Sequence, residues 1–460
     1  MDYSWVIPEN IIDRLDSLPY KRVYIDNLKR LKKHKTQKLF KICDSVKCGP
    51  FGSTVLAETY SNEGVLYIRP VNISNNLFDE SDLVFLDRLD VRKKNLDIFT
   101  NNDLFFGRVG NPCVSKVSKE YSEITISPNI IGVKVGDKID SDYLWMFLSS
   151  RYGIFQIERM LKTVAQPTTS TETIKELDVL VPLPEIQKYI GDKVRKAEEL
   201  REEAKRLKKE AETFLYEMIQ LKPLNDFDKD MFSFVNSNYI DSERLDSEYY
   251  KTKYITLEKL LKSKKVTSFK DIIIESKYGA SVPADYTMVG IPFIRGNNLT
   301  DNEINIDDIV YLNKKLKDEV KDHHVNTGDI LITRSGTVGI SAVVDEKCDG
   351  FSFGSFMIKL RIDMRIWNPY YIAAFLNSFW GKWQIERLQN GAVQQNINLQ
   401  EIGRIIIPII SKENQDKIEE LIKNYVNKKR LSKQLIQEAK QDVEDLIEGN
   451  FDMSKVKANS

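Results

Sequence analysis

Apolar positions along this chain switch between two periods, and the switches recur in the same order. Short runs of β-branched and aromatic residues (VLYIRPV, DLFFGRV, IPFIR, DILITR and MIKLRI) are bounded by Gly, Asn and Asp and predict strands. Asp140-Ser141-Asp142 and Asn368-Pro369 predict helix starts, because each precedes an apolar run, YLWMFLSS or YYIAAFLN. After Pro182-Leu183-Pro184 the spacing changes to threes and fours. Ile190, Ala197, Leu200, Ala204, Leu207, Ala211, Phe214, Met218 and Leu221 predict one helix from Glu185 to about Leu221 with a coiled-coil seam. Ile418, Leu421, Tyr425, Leu435, Ala439 and Leu446 predict a second, from Lys412 to about Glu448. Small residues on one seam meet larger ones on the other, which fits a complementary pair. Lys428, Ser432 and Asp442 also fall on the second seam, so the pairing is expected to be imperfect there and open to water or another chain. Gly49-Pro50-Phe51-Gly52-Ser53 and Gly391-Ala392-Val393-Gln394-Gln395 read as loops.

The recurrence is a duplication. GVLYIRPVNIS lies over GIPFIRGNNLT at a shift of 226 residues, pairing Arg69 with Arg295 and Asn72 with Asn298. The same shift lays NDLFFGRVGN over GDILITRSGT, pairing Asp103 with Asp329 and Arg108 with Arg334. At a shift of 228, YLWMFLSSRYGIFQIER matches YIAAFLNSFWGKWQIER, and the two long helices come into register. Arg14-Leu15-Asp16-Ser17 recurs as Arg244-Leu245-Asp246-Ser247. Two copies of one α+β unit, each closed by a long helix, are therefore expected, with a bent or barrel-like sheet in each. The connection through residues 222–245 favours antiparallel helices, which places the copies about an approximate two-fold axis.

Composition narrows the class. With 460 residues, 42% hydrophobic and 30% charged, the chain should bury large cores, and no run of apolar residues is long enough to span a membrane. Four cysteines without a CxxC pair argue against a disulfide scaffold and a zinc knuckle, and the start lacks a signal peptide's regions, so a cytoplasmic protein is expected. Lys plus Arg equals Asp plus Glu at 68 each, so net charge provides no steering toward DNA. The segment 21–41 holds nine Lys or Arg against one Asp and reads first as a solvated helix face, with phosphate contact as the alternative.

No catalytic constellation stands out. Asn368-Pro369-Tyr370-Tyr371 runs straight into an apolar helix and reads as a helix start rather than as a methyltransferase loop. No phosphate-binding GxxxxGK[ST] loop exists, and His323-His324 cannot both face one metal from a regular element. No metal site is expected. The residues that remain suit DNA. Arg69, Arg108, Arg295 and Arg334 close strands beside small polar residues, and Arg can bond guanine as Asn or Gln bonds adenine. An arginine buried against Asp103 or Asp329 is the structural alternative. The candidate contacts are Arg69, Asn72, Arg108, Gln166, Thr168, Arg295, Asn298, Arg334, Ser335, Thr337, Gln394, Gln395 and Asn396. Gln166-Pro167-Thr168-Thr169 aligns with Gln394-Gln395-Asn396-Ile397, a shared glutamine with unlike neighbours.

These motifs, with Pro182-Leu183-Pro184-Glu185-Ile186-Gln187 opening a long helix and Arg244-Leu245-Asp246-Ser247-Glu248-Tyr249-Tyr250 opening the second half, resemble the specificity subunits of type I restriction-modification systems and of related two-subunit type II systems. The resemblance implies target-recognition domains at 1–184 and, with a linker, 222–411, joined by antiparallel spacer helices at 185–221 and 412–450, with a tail at 451–460. It implies a non-catalytic chain that reads a split site in double-stranded DNA. Two modification subunits would supply S-adenosylmethionine chemistry, and a motor-nuclease subunit would join for cleavage. No cofactor is expected on this chain. An enzyme with degenerate motifs and a coiled-coil protein scaffold are the alternatives. Ile407-Pro408-Ile409-Ile410-Ser411 departs from the Pro-Leu-Pro opening.

Overall fold

The computed structural model describes residues 11–12, 14, 16–73, 78–162, 166–221, 235–237, 240, 244–391 and 395–457. The chain divides into two compact units, Met1–Arg201 with Arg430–Ser460, and Glu202–Lys429. Leu15 and Gln394 lie outside the described residues, as does most of the 222–245 connection.

In the first unit one antiparallel sheet runs Ser45–Cys48, Ile130–Lys134, Leu104–Gly107, Val114–Lys116. A second runs Tyr60–Ser61, Phe85–Leu86, Val65–Ile68, Ile124–Ile126, its last pair parallel. Thr36–Lys38 and Asp178–Leu180 make a separate ribbon. All four residues of Val65–Ile68 are buried, as a strand covered on both faces must be.

The second unit repeats this plan and adds a two-stranded ladder, Leu299–Thr300 with Glu303–Ile304. Its sheets run Ile273–Tyr278, Met357–Ile362, Ile330–Thr333, Ser341–Val343, and Tyr286–Thr287, Val310–Leu312, Ile291–Ile294, Ser352–Phe353, again with one parallel pair at the end of the second. Its ribbon pairs Val266–Ser268 with Ile406–Pro408. In place of the one bent or barrel-like sheet expected, each unit holds two open four-stranded sheets and a ribbon. The strands are two to six residues long, and no ladder of the described residues joins the two sheets.

Both anticipated helix starts are present. The Asp140 carboxylate accepts the Asp142 and Tyr143 N–H groups at the head of Ser141–Ser149, and the Asn368 side chain accepts the Tyr370 N–H at the head of Pro369–Asn377. Each helix is hung on its ribbon by a fully buried tyrosine. The Tyr143 hydroxyl donates to the Leu180 carbonyl at 2.8 Å, and that of Tyr371 to the Pro408 carbonyl at 2.5 Å. Burying a phenol is tolerable only with such a partner.

The long helices span Pro184–Ile219 and Lys412–Glu448. Within the first unit their segments run antiparallel, Ala197 meeting Ser432 and Lys193 meeting Asp442. Within the second unit the Glu203–Lys428 ion pair marks the contact. The seam holds through Ala211 and then shifts. Leu215 and Ile219 are buried where Phe214 and Met218 were expected, and Ile436 and Ile447 are buried in place of Leu435 and Leu446. Each helix packs on its unit's core as well as on its partner, so the buried face follows the 3.6-residue period rather than the strict 3.5.

The expectation of an imperfect, open seam is also corrected. Ser432 Oγ donates to the Ala197 carbonyl at 2.6 Å, Lys428 pairs with Glu203, and Asp442 takes Lys193 at 2.5 Å and Lys455 at 3.1 Å. The chain satisfies these seam groups itself. Asp442 is 3% exposed, so Asp442→Ala strands two ammonium groups and is expected to cost about 3 kcal/mol, read as a lower unfolding midpoint. An unchanged midpoint would show that water already screens the pair.

Candidate nucleic-acid interface

The thirteen sequence candidates separate into two groups. Arg69, Asn72 and their counterparts Arg295, Asn298 fold back on their own loops. The Arg69 N–H donates to Asn72 Oδ1 at 3.0 Å, and Asn72 Nδ2 donates to the Asp79 and Asp82 carbonyls. The Arg69 guanidinium reaches the Asp82 carbonyl and carboxylate and lies over the Tyr60 ring. The second unit repeats every partner, with Asn298 bonded to Arg295, Asn305 and Asp308, and Arg295 to Asp308 over Tyr286. Asn72 and Asn298 are 1% and 0% exposed. They are corrected from base contacts to loop clips, since their amides are enclosed and engaged by backbone. Arg69 and Arg295 are corrected likewise, each neutralised by a carboxylate.

The second group converges. In the first unit Arg108 is exposed at the end of Leu104–Gly107, and its backbone carries the loop beyond: Thr169 N–H donates to the Arg108 carbonyl, and Gly110 N–H to that of Pro167, both at 2.9 Å. Val109 and Lys162 each bridge to Thr168. This sets exposed Gln166 and half-buried Thr168 beside Arg108. In the second unit Arg334 closes Ile330–Thr333, the Ile397 N–H donates to its carbonyl at 3.0 Å, and Ser335 bridges to Asn396. Arg334 Nε also reaches Asn396 Oδ1 at 3.3 Å. Gln395 and Thr337 are exposed on the same loops. Asp103 and Asp329 are not the arginines' partners. Asp103 closes its own turn through the Thr100 N–H, and Asp329 binds Arg361.

A third segment lies under each arginine. Arg108 Nη1 donates to the Pro128 carbonyl at 3.2 Å and lies against Cys48 Sγ, while Arg334 stacks over Tyr278 at 4.8 Å. The residues that follow, Gly49 and Gly279, are required by close approach. A Cβ on Gly49 would fall 2.0 Å from the Ser127 carbonyl oxygen, and one on Gly279 would fall 2.1 Å from that of Gly354. In the second unit Glu401 braces the loop. It accepts the Asn398 N–H at 2.8 Å and takes the Asn390 amide, while burial pushes its carboxyl above the usual range.

Among the described residues no group of three His, Cys, Asp or Glu could hold a metal, and no helix is long and apolar enough to cross a membrane. The basic 21–41 segment is partly self-paired. Arg22 meets Asp26, Arg30 meets Glu448, and Lys38 meets Asp178. What the geometry offers is a pair of like surfaces, each with a strand-end arginine beside a polar loop of different sequence.

Residues 229–441 match the family model of the type I restriction modification DNA specificity domain. The chain is also 24% identical over 166 residues to a protein of Methanocaldococcus jannaschii assigned as the MjaX type I restriction enzyme specificity subunit, covering 35% of this chain and 39% of that one. Both similarities are to type I specificity subunits, and the family match covers just under half of the chain. The EcoBI specificity subunit of Escherichia coli is 24% identical over 142 residues, 31% of this chain and 30% of that one, so the chain spans well under half the length of both curated relatives. The crystal structure of the type I restriction-modification S subunit from M. genitalium aligns over 91% of this chain and 96% of that one at 14% identity, with a TM-score of 0.49.

Sequence reading missed the residues under the arginines, Cys48 and Tyr278, and the turns Ser127–Ile130 and Gly354–Met357. The signal was available. Ile130 aligns with Met357 at a shift of 227, midway between the two shifts that mark the duplication. The clip and the exposed-loop residues should separate in stability. Asn298→Ala removes an enclosed three-bond amide and is expected to cost about 2 kcal/mol, whereas Thr337→Ala, on an exposed loop, should stay within about 0.5 kcal/mol. Denaturant unfolding checks this, and equal costs would remove the clip's structural role.

Proposed function

We propose that this chain is the non-catalytic DNA-specificity subunit of a restriction-modification complex, reading a split, asymmetric site in double-stranded DNA. The observation that carries the reading is the doubled surface: Arg108 with Gln166 and Thr168 on one frame, Arg334 with Ser335, Gln395 and Asn396 on its copy. Frames that match place the two arginines alike, while loops that differ select different bases, so the half-sites differ. The match of residues 229–441 to a DNA specificity domain supports this, as do the specificity-subunit relatives.

In this reading the heads are target-recognition domains at 1–184 and 222–411, and the paired helices are spacers that set the interval between half-sites. A 37-residue helix is about 55 Å long, equivalent to about sixteen base pairs. Two modification subunits dock on the helices and heads and carry the S-adenosylmethionine chemistry, and a motor-nuclease subunit joins for cleavage. Zero net charge is tolerable if those partners supply much of the phosphate contact, so binding by the chain alone is weak and tightens on assembly. The setting is the cytoplasm.

The test is half-site resolved. Arg108→Ala and Arg334→Ala, each in the assembled complex, are expected to weaken binding roughly 5- to 100-fold. Each should relax base preference in one half of the methylated motif and leave the other half intact, as read by sequencing methylated DNA. Loss of preference in both halves from either variant would overturn the two-reader assignment, and methyl transfer by the purified chain alone would overturn the non-catalytic one.

A further inference from the structure

The turns that pin each reading surface are the same backbone carrying different side chains. In the first unit Ser127 N–H donates to the Ile68 carbonyl at 2.9 Å, Ile130 N–H to that of Ser127 at 3.0 Å, and Arg108 N–H to that of Asn129 at 2.9 Å. In the second, Gly354 N–H donates to Ile294 at 3.0 Å, Met357 N–H to Gly354 at 3.1 Å, and Arg334 N–H to Phe356 at 2.8 Å. Asn129 and Phe356 thus hold one position, each bonded through its carbonyl to the backbone of the strand-end arginine. Both side chains are exposed, and Phe356 is 54% exposed. Its Cβ stands 3.8 Å from where a Cβ on Gly296 would be, which sets this residue beside the start of the Arg295 clip while its carbonyl holds the Arg334 N–H.

Neither side chain serves the core. A backbone held this closely has no freedom to tuck the phenyl ring away, and the same place in the other copy carries a carboxamide. A position with a fixed frame, an exposed side chain and different chemistry in the two copies is built to read rather than to pack. Asn presents the paired donor and acceptor that match adenine's major-groove edge, and Phe presents an apolar face that matches the thymine methyl group. Resting on the function proposed above, we propose that Asn129 and Phe356 are one base-reading position used twice, Asn129 hydrogen-bonding an adenine in one half-site and Phe356 packing on a thymine 5-methyl group in the other.

The test uses the full chain assembled with its modification subunits and duplexes altered one base at a time. Replacing one thymine by uracil in one half-site is expected to weaken binding about fourfold, the loss of one buried methyl group. Phe356→Ala abolishes that sensitivity, and Phe356→Leu, which keeps an apolar face, retains it. In the other half-site one adenine replaced by 7-deazaadenine weakens binding about tenfold, and Asn129→Ala abolishes that effect. Sensitivities that persist in the alanine variants, or a half-site in which no thymine responds to uracil, overturn the proposal. A wild-type complex that binds every duplex equally overturns the DNA-reading function itself. A complex that discriminates sequence yet ignores these two substitutions overturns only the role of this position.

Discussion

Each head depends on a carbonyl oxygen set against an α-carbon that bears no side chain. The Ser127 oxygen sits where a Cβ of Gly49 would stand, and the Gly354 oxygen where a Cβ of Gly279 would stand. That approach brings the first strand of one sheet down on the turn that leads out of the other. It also fixes the turn to which the strand-end arginine donates its N–H. The surface is accurate because backbone positions it. Side chains can then vary without moving the frame.

The heads are tied to the long helices by charge at equivalent points. Arg201 meets Glu80 at 3.7 Å in the first unit, and Lys429 meets Glu303 at 2.6 Å in the second. Around these anchors the copies have diverged. The first unit buries Lys116 against Asp142, with Arg195 on the same carboxylate, and Glu198 beside them has its carboxyl raised by burial. At the corresponding positions the second unit has Ala342, Tyr370, Lys423 and Val426, and Lys423 lies 5.0 Å from the Tyr370 ring centroid. A buried ion network and an apolar patch with one cation–π contact fill the same space. Exchange of this kind is often close to neutral in stability when all partners change together, so the frame outlasts its contents.

How much of this could be read from the residues depends on whether a signal was periodic or relational. The long helices, the capped starts at Asp140 and Asn368, and the duplication were legible because each is a local pattern repeated in register. The seam's last turns were not, since Leu215 and Ile219 displace Phe214 and Met218 only once the core's second contact face is known. The clip was misread for a related reason. Arg69 and Asn72 beside a strand end look the same whether they face DNA or turn inward, and the decisive partner, Asp82, lies thirteen residues from Arg69 in a loop with no period. Arg108 and Arg334 looked no different from Arg69 and Arg295 in the sequence, and only the backbone bonds to Thr169 and Ile397 set them beside the polar loops. Asn129 and Phe356 escaped because they sit between two shifts of the repeat, where neither alignment looked.

The two frames also engage cations of their own, beside a chain-wide balance of 68 basic and 68 acidic residues. Arg69 and Arg295 close loops against Asp82 and Asp308, and Arg30 and Lys38 pair across their own unit. Cations held in internal pairs of this kind contribute less to the nonspecific phosphate attraction that dominates most DNA binding. Under the function proposed above, discrimination would rest on the few groups that the frame leaves facing outward, and affinity would come from the assembled partners. A reader that does not bind strongly by itself would not sit on incorrect sequence, so selectivity would be realised only when assembly adds contacts indifferent to the bases.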